Sequence, residues 1–175
     1  MQKMKLNLGS GINYKEGYVN LDWIKAHKPD IIWDINEKPF PFEDNVFDEV
    51  FCSHILEHFD DVVGILQELW RITKKGGRII IGVPHFASYE AASDLTHRKL
   101  FGMNSFYCYE MKDFGYYYGG KMRFRVVEKV YQYSPNKWYM RPFEFIANIN
   151  YKFTELWLHK IIPMEAIKFE LEVLK

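Results

Sequence analysis

Residues 5–11 read Lys-Leu-Asn-Leu-Gly-Ser-Gly, and residues 18–22 read Tyr-Val-Asn-Leu-Asp. Both runs are largely apolar; the first ends in a Gly-Ser-Gly turn and the second ends in an acid. In an open α/β sheet a nucleoside lies outside the carboxyl ends of the strands, where glycine lets the backbone turn and a carboxylate can bind ribose hydroxyls. The two runs therefore predict two strands and a nucleoside pocket around Gly9, Gly11 and Asp22.

The composition favours one globular domain. The chain has 175 residues, and its 23 basic side chains balance 23 acidic ones, which gives no reason to expect nucleic acid as a partner. No apolar run reaches the about 18 residues of a membrane span. Two cysteines, at positions 52 and 108, show no metal-ligand spacing. We expect a single domain over residues 1–175, located in the cytoplasm, with no membrane partner and with a homodimer as an open alternative.

Hydrophobic periodicity predicts the remaining elements. Strand patterns are expected at residues 30–35, 47–53, 78–83, 123–133 and 167–173. A helix capped by Asp60 or Asp61 is expected before residues 74–77, whose Lys-Lys-Gly-Gly sequence is predicted to end it. The loop before Asp22 is too short for a helix, so the first crossover is expected to be shortened. The predicted fold class is α/β: a Rossmann-like, doubly wound, mostly parallel sheet with an antiparallel final strand and a shortened first crossover.

The carboxyl-terminal half has a looser pattern. A helix is predicted at residues 103–112 and another from Pro142, with an apolar stripe of Phe145, Ile149, Phe153 and Leu156. In the 123–133 strand, alternation places Phe124, Val126 and Val130 on one face and Val127, Tyr131 and Tyr133 on the other. We interpret residues 85–122 and 135–163 as insertions that carry substrate contacts or a lid.

Six ordered motifs in the amino-terminal half resemble those of a known family. They are residues 6–11, Asp34 with residues 39–42, Phe47-Asp48, Leu56-Glu57-His58, Glu68 with Arg71, and Lys75-Gly76-Gly77. In this order they resemble the class I S-adenosylmethionine-dependent methyltransferases of the type-11 kind, over about residues 5–84. The resemblance implies S-adenosyl-L-methionine as the cofactor and methyl transfer as the activity.

Carried over residue by residue, the resemblance implies a cofactor site. Gly9 and Gly11 would line the methionine moiety, Asp22 would bind the ribose, and Asp34 would face the adenine amino group. The full predicted set is Gly9, Ser10, Gly11, Asp22, Asp34, Ile35, Ser53 and His54. The sequence departs from the family pattern at Asn13, which stands at the usual third glycine. We also expect it to lack the first crossover helix and the helices that usually precede the first strand. We therefore expect another segment to cover the cofactor, and residues 85–99 are the nearest candidate for a mobile lid.

Methyl transfer from a sulfonium is an in-line displacement that a protein can catalyse by positioning, with a general base only where the acceptor loses a proton. His85, Asp94 and His97 follow the fifth strand, where an acceptor would lie, and are the predicted catalytic residues; a structural role in the loop is the alternative. His54 and His58 could share a helix face and join His97 on a metal, but no third ligand is set by spacing, so no metal is predicted.

The predicted function is methyl transfer to a small-molecule acceptor. The alternative is a catalytically silent module that binds the cofactor or its demethylated product. A nicotinamide oxidoreductase is disfavoured because the third glycine of its fingerprint and the helix that follows are missing. The tyrosine cluster at residues 116–118 could stack on the adenine or the sulfonium, or could belong to the core or a dimer contact.

Overall fold

The computed structural model describes residues 3–110 and 121–175. Within them one sheet contains the strands β1 (Lys5–Leu8), β2 (Val19–Asp22), β3 (Ile31–Ile32), β4 (Phe47–Ser53), β5 (Thr73–Pro84), β6 (Arg123–Gln132) and β7 (Ala166–Leu174). The strand order is β3-β2-β1-β4-β5-β7-β6, parallel from β3 to β5, with β7 antiparallel to both of its neighbours. The predicted fold class is confirmed. The strand order reverses between β1 and β4, and a ligand crevice is expected at the carboxyl ends of those two strands.

The described helices are α1 (Val62–Ile72), α2 (Tyr89–Ser93), α3 (Arg141–Ile149) and α4 (Tyr151–Leu156), with short 3-10 turns at Lys25–His27, Leu56–His58, Tyr107–Glu110, Trp138–Met140 and Leu158–Lys160. Helix α1 is the crossover between β4 and β5. Its cap is Asp61, whose Oδ1 accepts a hydrogen bond from the backbone N–H of Gly64 at 2.8 Å. Its buried face consists of Ile65, Leu66, Leu69 and Ile72, as the periodicity predicted.

Two buried asparagines replace the missing helix of the first crossover. Residues 9–18 contain no helix, as predicted from their length. Asn7 on β1 donates from Nδ2 to Asn20 Oδ1 on β2 at 2.8 Å and to the carbonyl of Asn13 at 3.0 Å. Asn20 in turn accepts from the N–H of Lys15 at 2.8 Å. Since buried backbone groups need partners, this network is what lets a bare loop lie over the strands.

The Glu68 and Arg71 motif has a structural role. Arg71 binds Glu68 Oε2 at 2.7 Å and donates to the carbonyls of Phe42 and Phe40, while Glu68 accepts from the N–H of Phe40. The proline-containing loop before β4 is thus anchored to helix α1. Hydrogen bonds donated by Arg71 to the Glu68 and Asp44 carboxylates, with burial opposing, raise the pKa of Arg71 above its usual range, so its charge is held at all ordinary pH values.

Several predicted element boundaries are wrong. The strand predicted over residues 30–35 is limited to Ile31–Ile32. Helix α1 ends at Ile72 with Thr73 as its cap, so residues 74–77 do not end the helix. They lie inside the irregular start of β5, where the pairing jumps from Phe47 opposite Thr73 to Glu49 opposite Arg78. Gly76 absorbs the extra residues with a φ of +74°.

The predicted faces of β6 are wrong beyond its midpoint. Register with β7 shifts between Val126 and Glu128, so Val127 is an extra residue that reverses the alternation. Tyr131 therefore lies on the same buried face as Phe124, with both side chains at 0% exposure. A bulge of this kind leaves no clear mark in a single sequence, because every residue of the strand remains a good strand former.

The carboxyl-terminal half contains less helix than expected. The helix predicted over residues 103–112 is reduced, in its described part, to turns and a 3-10 turn at Tyr107–Glu110; residues 111–112 and the tyrosine cluster at 116–118 lie outside the described residues. The helix from Pro142 is broken at Asn150 into α3 and α4. Its predicted apolar stripe is 54% or more exposed at every member, namely Phe145, Ile149, Phe153 and Leu156.

Candidate functional site

A cavity of about 540 Å³ opens at the carboxyl ends of β1, β2 and β4. Its volume lies within the about 300–1,000 Å³ of ligand sites. Six of the eight predicted cofactor residues line it: Gly9, Gly11, Asp22, Asp34, Ile35 and His54. The other two do not: Ser10 is buried, and Ser53 lies against Gly82 of β5.

The glycine turn and Asp22 form one hydrogen-bonded unit. Gly9 and Gly11 have φ angles of +65° and +51°, which favour glycine at both positions. Asp22 is 5% exposed, and its Oδ2 accepts from the N–H of Gly11 at 2.7 Å while its Oδ1 accepts from the N–H of Ile24 at 2.8 Å. A carboxylate has about four acceptor positions. Two therefore remain for hydroxyl groups of a ligand, which fits a ribose.

The space around the two glycines differs, and only Gly9 is too crowded to carry a side chain. A Cβ at Gly9 would lie 2.6 Å from Cγ1 of Ile55, whereas a Cβ at Gly11 would meet no atom within 4 Å. Gly9 is therefore required by packing, and Gly11 borders open space in the cavity. Asp34, also in the cavity wall, is exposed and accepts hydrogen bonds from the backbone N–H and the side-chain Nδ2 of Asn36 through its Oδ1. The residues present fit a nucleoside cofactor.

His54 stands at the junction of three cavities. It lines the 540 Å³ cavity described above, which we call the cofactor cavity. It also lines a neighbouring cavity of about 670 Å³ and a smaller one of about 340 Å³. Its φ of 53° is uncommon for a residue other than glycine and directs the chain sharply away from the end of β4. The Glu57 carboxylate, 3.5 Å from Nδ1, raises the pKa of the His54 imidazole, and burial opposes this shift.

The insertion after β5 forms the rim between the cavities. Asp94 and His97 both line the 670 Å³ cavity, together with His54 and Glu57, so the structure brings two of the three predicted catalytic residues together. The backbone N–H groups of Arg98 and Lys99 both donate to the carbonyl of Glu57, at 2.7 and 3.1 Å. Residues 85–99 are thereby anchored beside the cofactor cavity, which Thr96 of this segment also lines.

His85, the third predicted catalytic residue, lies elsewhere. Its side chain is fully buried and lines none of the cavities described. Its Nδ1 accepts from the N–H of Ala87 at 3.2 Å, which assigns the proton to Nε2, and Nε2 lies 3.1 Å from Oε2 of Glu155. Both ring nitrogens are used inside the protein, an arrangement that suits a structural role.

Aromatic and thioether side chains line a further cavity of about 290 Å³ between the two insertions. Tyr89 comes from the first insertion, Tyr139 and Met140 from the second, and Tyr133 and Met164 from either side of it. Glu90 and Glu165 also line this cavity and are shared with the 340 Å³ cavity that reaches His54. The cavities therefore lie side by side, from the cofactor cavity to the aromatic one.

Sequence reasoning missed several wall residues. Trp23, Ile24, Ile55, Phe59 and Thr96 line the cofactor cavity but belong to no predicted set. Four of them directly follow a strand end or flank the Leu56-Glu57-His58 motif, so proximity to a strand end was the available signal. Thr96 comes from a distant part of the chain and had no such signal.

No described helix is long and apolar enough to cross a membrane. The fold and the cavity together define an open α/β domain with a cavity at its topological switch point whose lining fits a nucleoside cofactor. A family model described as "Methyltransferase domain" matches residues 9–81, which include the glycine turn, Asp22 and His54. Residues 9–81 thus match a methyltransferase domain, and the predicted resemblance to S-adenosylmethionine-dependent methyltransferases and the predicted cofactor are confirmed.

Two curated relatives match part of the chain. A mitochondrial 2-methoxy-6-polyprenyl-1,4-benzoquinol methylase from Leishmania donovani is 32% identical over 76 residues, which are 43% of this chain and 23% of the relative. A demethylmenaquinone methyltransferase from Streptomyces griseus subsp. griseus is 46% identical over 41 residues, 23% of this chain and 18% of the relative. The matched segments thus span less than a quarter of either relative.

Solved structures share the fold over nearly the whole chain. A chain from the complex between the Haloferax volcanii Trm112 methyltransferase activator and a putative methyltransferase has a TM-score of 0.65 at 15% identity, covering 99% of this chain and 84% of that one. A SAM-dependent methyltransferase from Archaeoglobus fulgidus has a TM-score of 0.59 at 18% identity, covering 97% and 86%. At such identities the likeness concerns the fold.

Proposed function

We propose that this protein transfers the methyl group of S-adenosyl-L-methionine to a small-molecule acceptor held in the cavities beside His54. One observation carries the proposal: His54 lines both the cofactor cavity and the two cavities next to it. A residue at that junction can contact both reactants. The bound cofactor would supply an electrophilic methyl group on a positively charged sulfur.

The chain's own residues would bind and orient the two reactants. Asp22 would accept the ribose hydroxyls at its two free acceptor positions, and the turn from Gly9 to Gly11 would let the methionine portion approach the backbone. His54 and Asp94 would contact the acceptor. Because an in-line displacement depends mainly on alignment, this positioning is the main catalytic contribution we assign to the protein.

The acceptor we propose contains an apolar ring. The cavity between the insertions presents Tyr89, Tyr133, Tyr139, Met140 and Met164, and such side chains pack well against rings. The two curated relatives, a benzoquinol methylase and a demethylmenaquinone methyltransferase, support an acceptor of this class by their names. The insertions 85–122 and 135–163 would supply the specificity, since both contribute walls.

Calorimetric titration with S-adenosylmethionine and its demethylated product, followed by mass-spectrometric detection of methylated products from a panel of phenols, quinols and amines, tests the proposal. We expect binding and turnover of a ring-containing acceptor. His54→Gln should lower turnover by about tenfold or more while the cofactor dissociation constant changes by less than about threefold. Binding without transfer to any acceptor would favour the silent module instead.

A cytoplasmic location, which the sequence led us to expect, remains a prediction, and a homodimer remains an open alternative.

A further inference from the structure

A second cluster of functional side chains lies at the rim of the cofactor cavity. Glu57, His58 and His97 each offer one ligand atom, and these three atoms lie within 4.8 Å of one another. Glu57 and His58 belong to the turn after β4, and His97 belongs to the insertion after β5. The cluster therefore joins two segments that are far apart in sequence. Of the three histidines considered as metal ligands from the sequence, the cluster contains His58 and His97, and Glu57 takes the place of His54.

The Glu57 carboxylate is the unexplained group of this cluster. Its side chain is 1% exposed, and within the described part of the chain neither of its carboxylate oxygens has a hydrogen-bond partner. The approach of His54 Nδ1, at 3.5 Å, lacks the geometry of a hydrogen bond. Among the residues that the structure describes, Glu57 thus has one long ion-pair contact, to His54, and no hydrogen bond. A buried carboxylate without a hydrogen bond is costly, and buried charges in proteins are normally hydrogen-bonded as well as paired, or coordinate a metal. Glu57 also lines the 670 Å³ cavity, from which an ion could reach it.

The two imidazoles are already oriented by neighbouring groups. His58 Nδ1 lies 2.9 Å from Oγ1 of Thr96, and His97 Nδ1 lies 3.3 Å from the carbonyl of Ala91. Each ring therefore has Nε2 available for a ligand. Metal-binding histidines usually hold their second nitrogen in this way, which fixes the tautomer and the ring orientation. Asp94 Oδ2, 3.7 Å from Nε2 of His97, adds a second carboxylate beside the cluster.

We propose that Glu57, His58 and His97 form a binding site for a divalent transition-metal cation such as Zn²⁺. Two imidazoles and one carboxylate suit such ions better than Mg²⁺ or Ca²⁺, which prefer oxygen ligands. Around a tetrahedral ion with bonds of about 2.0–2.1 Å the ligand atoms lie about 3.3 Å apart. The side chains would close by small rotamer changes, and the ion would cross-link the insertion to the end of β4.

Titration of chelator-treated, untagged protein with ZnCl₂, followed by calorimetry and by metal analysis after desalting, tests this site. We expect one bound ion per chain and a higher melting temperature with zinc. Neither measurement depends on methyl-transfer activity. His97→Ala and His58→Ala should each weaken binding by more than about tenfold. His159→Ala, which removes a histidine outside the cluster, is the matched control and should bind zinc as the natural protein does.

Glu57→Gln separates metal binding from folding. The variant keeps the side-chain shape but removes a buried charge that, within residues 3–110 and 121–175, has no hydrogen bond and only one long ion-pair contact, to the half-exposed His54. The metal-free protein should therefore melt at a temperature equal to or higher than that of the natural protein. Its zinc affinity should nevertheless fall by more than about tenfold. The proposal is overturned if the natural protein retains no stoichiometric zinc, or if His97→Ala binds zinc as tightly as His159→Ala. Failure to find a methyl acceptor would leave these results unaffected, because they measure binding alone.

Discussion

Nε2 of His85 lies 3.1 Å from Oε2 of Glu155, and this contact joins the end of β5 to helix α4. The same carboxylate oxygen accepts from the hydroxyl of Tyr131 on β6, and Oε1 accepts from the N–H of Met103 at 2.9 Å. One partly buried carboxylate thus links the two insertions to the sheet. Burial alone would raise the pKa of Glu155, but the hydrogen bonds from His85, Tyr131 and Met103 outweigh it and lower the pKa to about 2.

This lowered pKa makes folding sensitive to acid. A carboxylate whose folded pKa lies below its unfolded value of about 4.3 stabilises the fold above that pH and loses the contribution as pH falls toward the folded pKa. Glu155→Gln should therefore lower the free energy of unfolding at pH 7 by about 1–3 kcal/mol. Between about pH 4.3 and 2 its stability should fall less steeply than that of the natural protein. Urea unfolding across this pH range measures both effects.

Glu128→Gln is the control for this substitution. Glu128 is half-exposed and pairs with Lys168 on the sheet surface, where an ion pair contributes about 0–1 kcal/mol. Its unfolding curve should stay close to that of the natural protein at every pH. Parallel pH dependence in Glu155→Gln and the natural protein would show that the hydrogen bonds from His85, Tyr131 and Met103 do not stabilise the charged carboxylate.

Gly9→Val should damage the cofactor site and the fold together. The left-handed backbone costs a side chain about 1–2 kcal/mol, and overlap with Ile55 adds about 1–3 kcal/mol. We expect a melting temperature clearly below that of the natural protein and loss of cofactor binding by titration. Gly17→Val has a similar positive φ but open space around the new Cβ, so it should show the backbone cost alone and keep its cofactor affinity.

The insertion of residues 85–99 should gain protection from hydrogen exchange when the cofactor binds. Thr96 borders the cofactor cavity, and Tyr89 and Leu95 are 83% and 98% exposed, which leaves apolar surface for a closed state to cover. With a chelator present to keep the proposed metal site empty, hydrogen exchange over these residues should slow at saturating S-adenosylmethionine. Helix α1 should be protected both with and without the cofactor. Unchanged exchange over residues 85–99 would mean a permanently packed loop and would direct the search for acceptor contacts to residues 142–163.

The strand ends of the site could be predicted from sequence because they depend on local signals. Gly9, Asp22 and Asp34 each follow an apolar run, and parallel strands bring such positions to one edge. The missing crossover helix could be predicted from loop length, but its replacement by the Asn7 and Asn20 network could not, since that requires the register of two strands.

Long-range pairings account for most of what sequence reasoning missed. The contact between His85 and Glu155 joins residues 70 positions apart, so His85 could be read as a candidate base when it is in fact buried and paired. Glu57 was a motif member with no assigned role, and only the packed structure shows that its carboxylate is buried without a hydrogen bond. The extra residue at Val127 reversed the predicted faces of β6 for the same reason: pairing with β7 sets it.

The most direct test of the cofactor assignment is calorimetric titration of S-adenosylmethionine into Asp22→Ala. The natural protein should bind the cofactor, and the variant should bind it about 100-fold or more weakly, because two hydrogen bonds to a charged acceptor are lost at about 1.5–3 kcal/mol each. Asp30→Ala is the control. Asp30 accepts from the N–H of Asn20, which lies on β2 together with Asp22, but Asp30 itself lies outside the cavity. An unchanged dissociation constant in a folded Asp22→Ala protein, verified by circular dichroism, would contradict the assignment of this cavity to the cofactor.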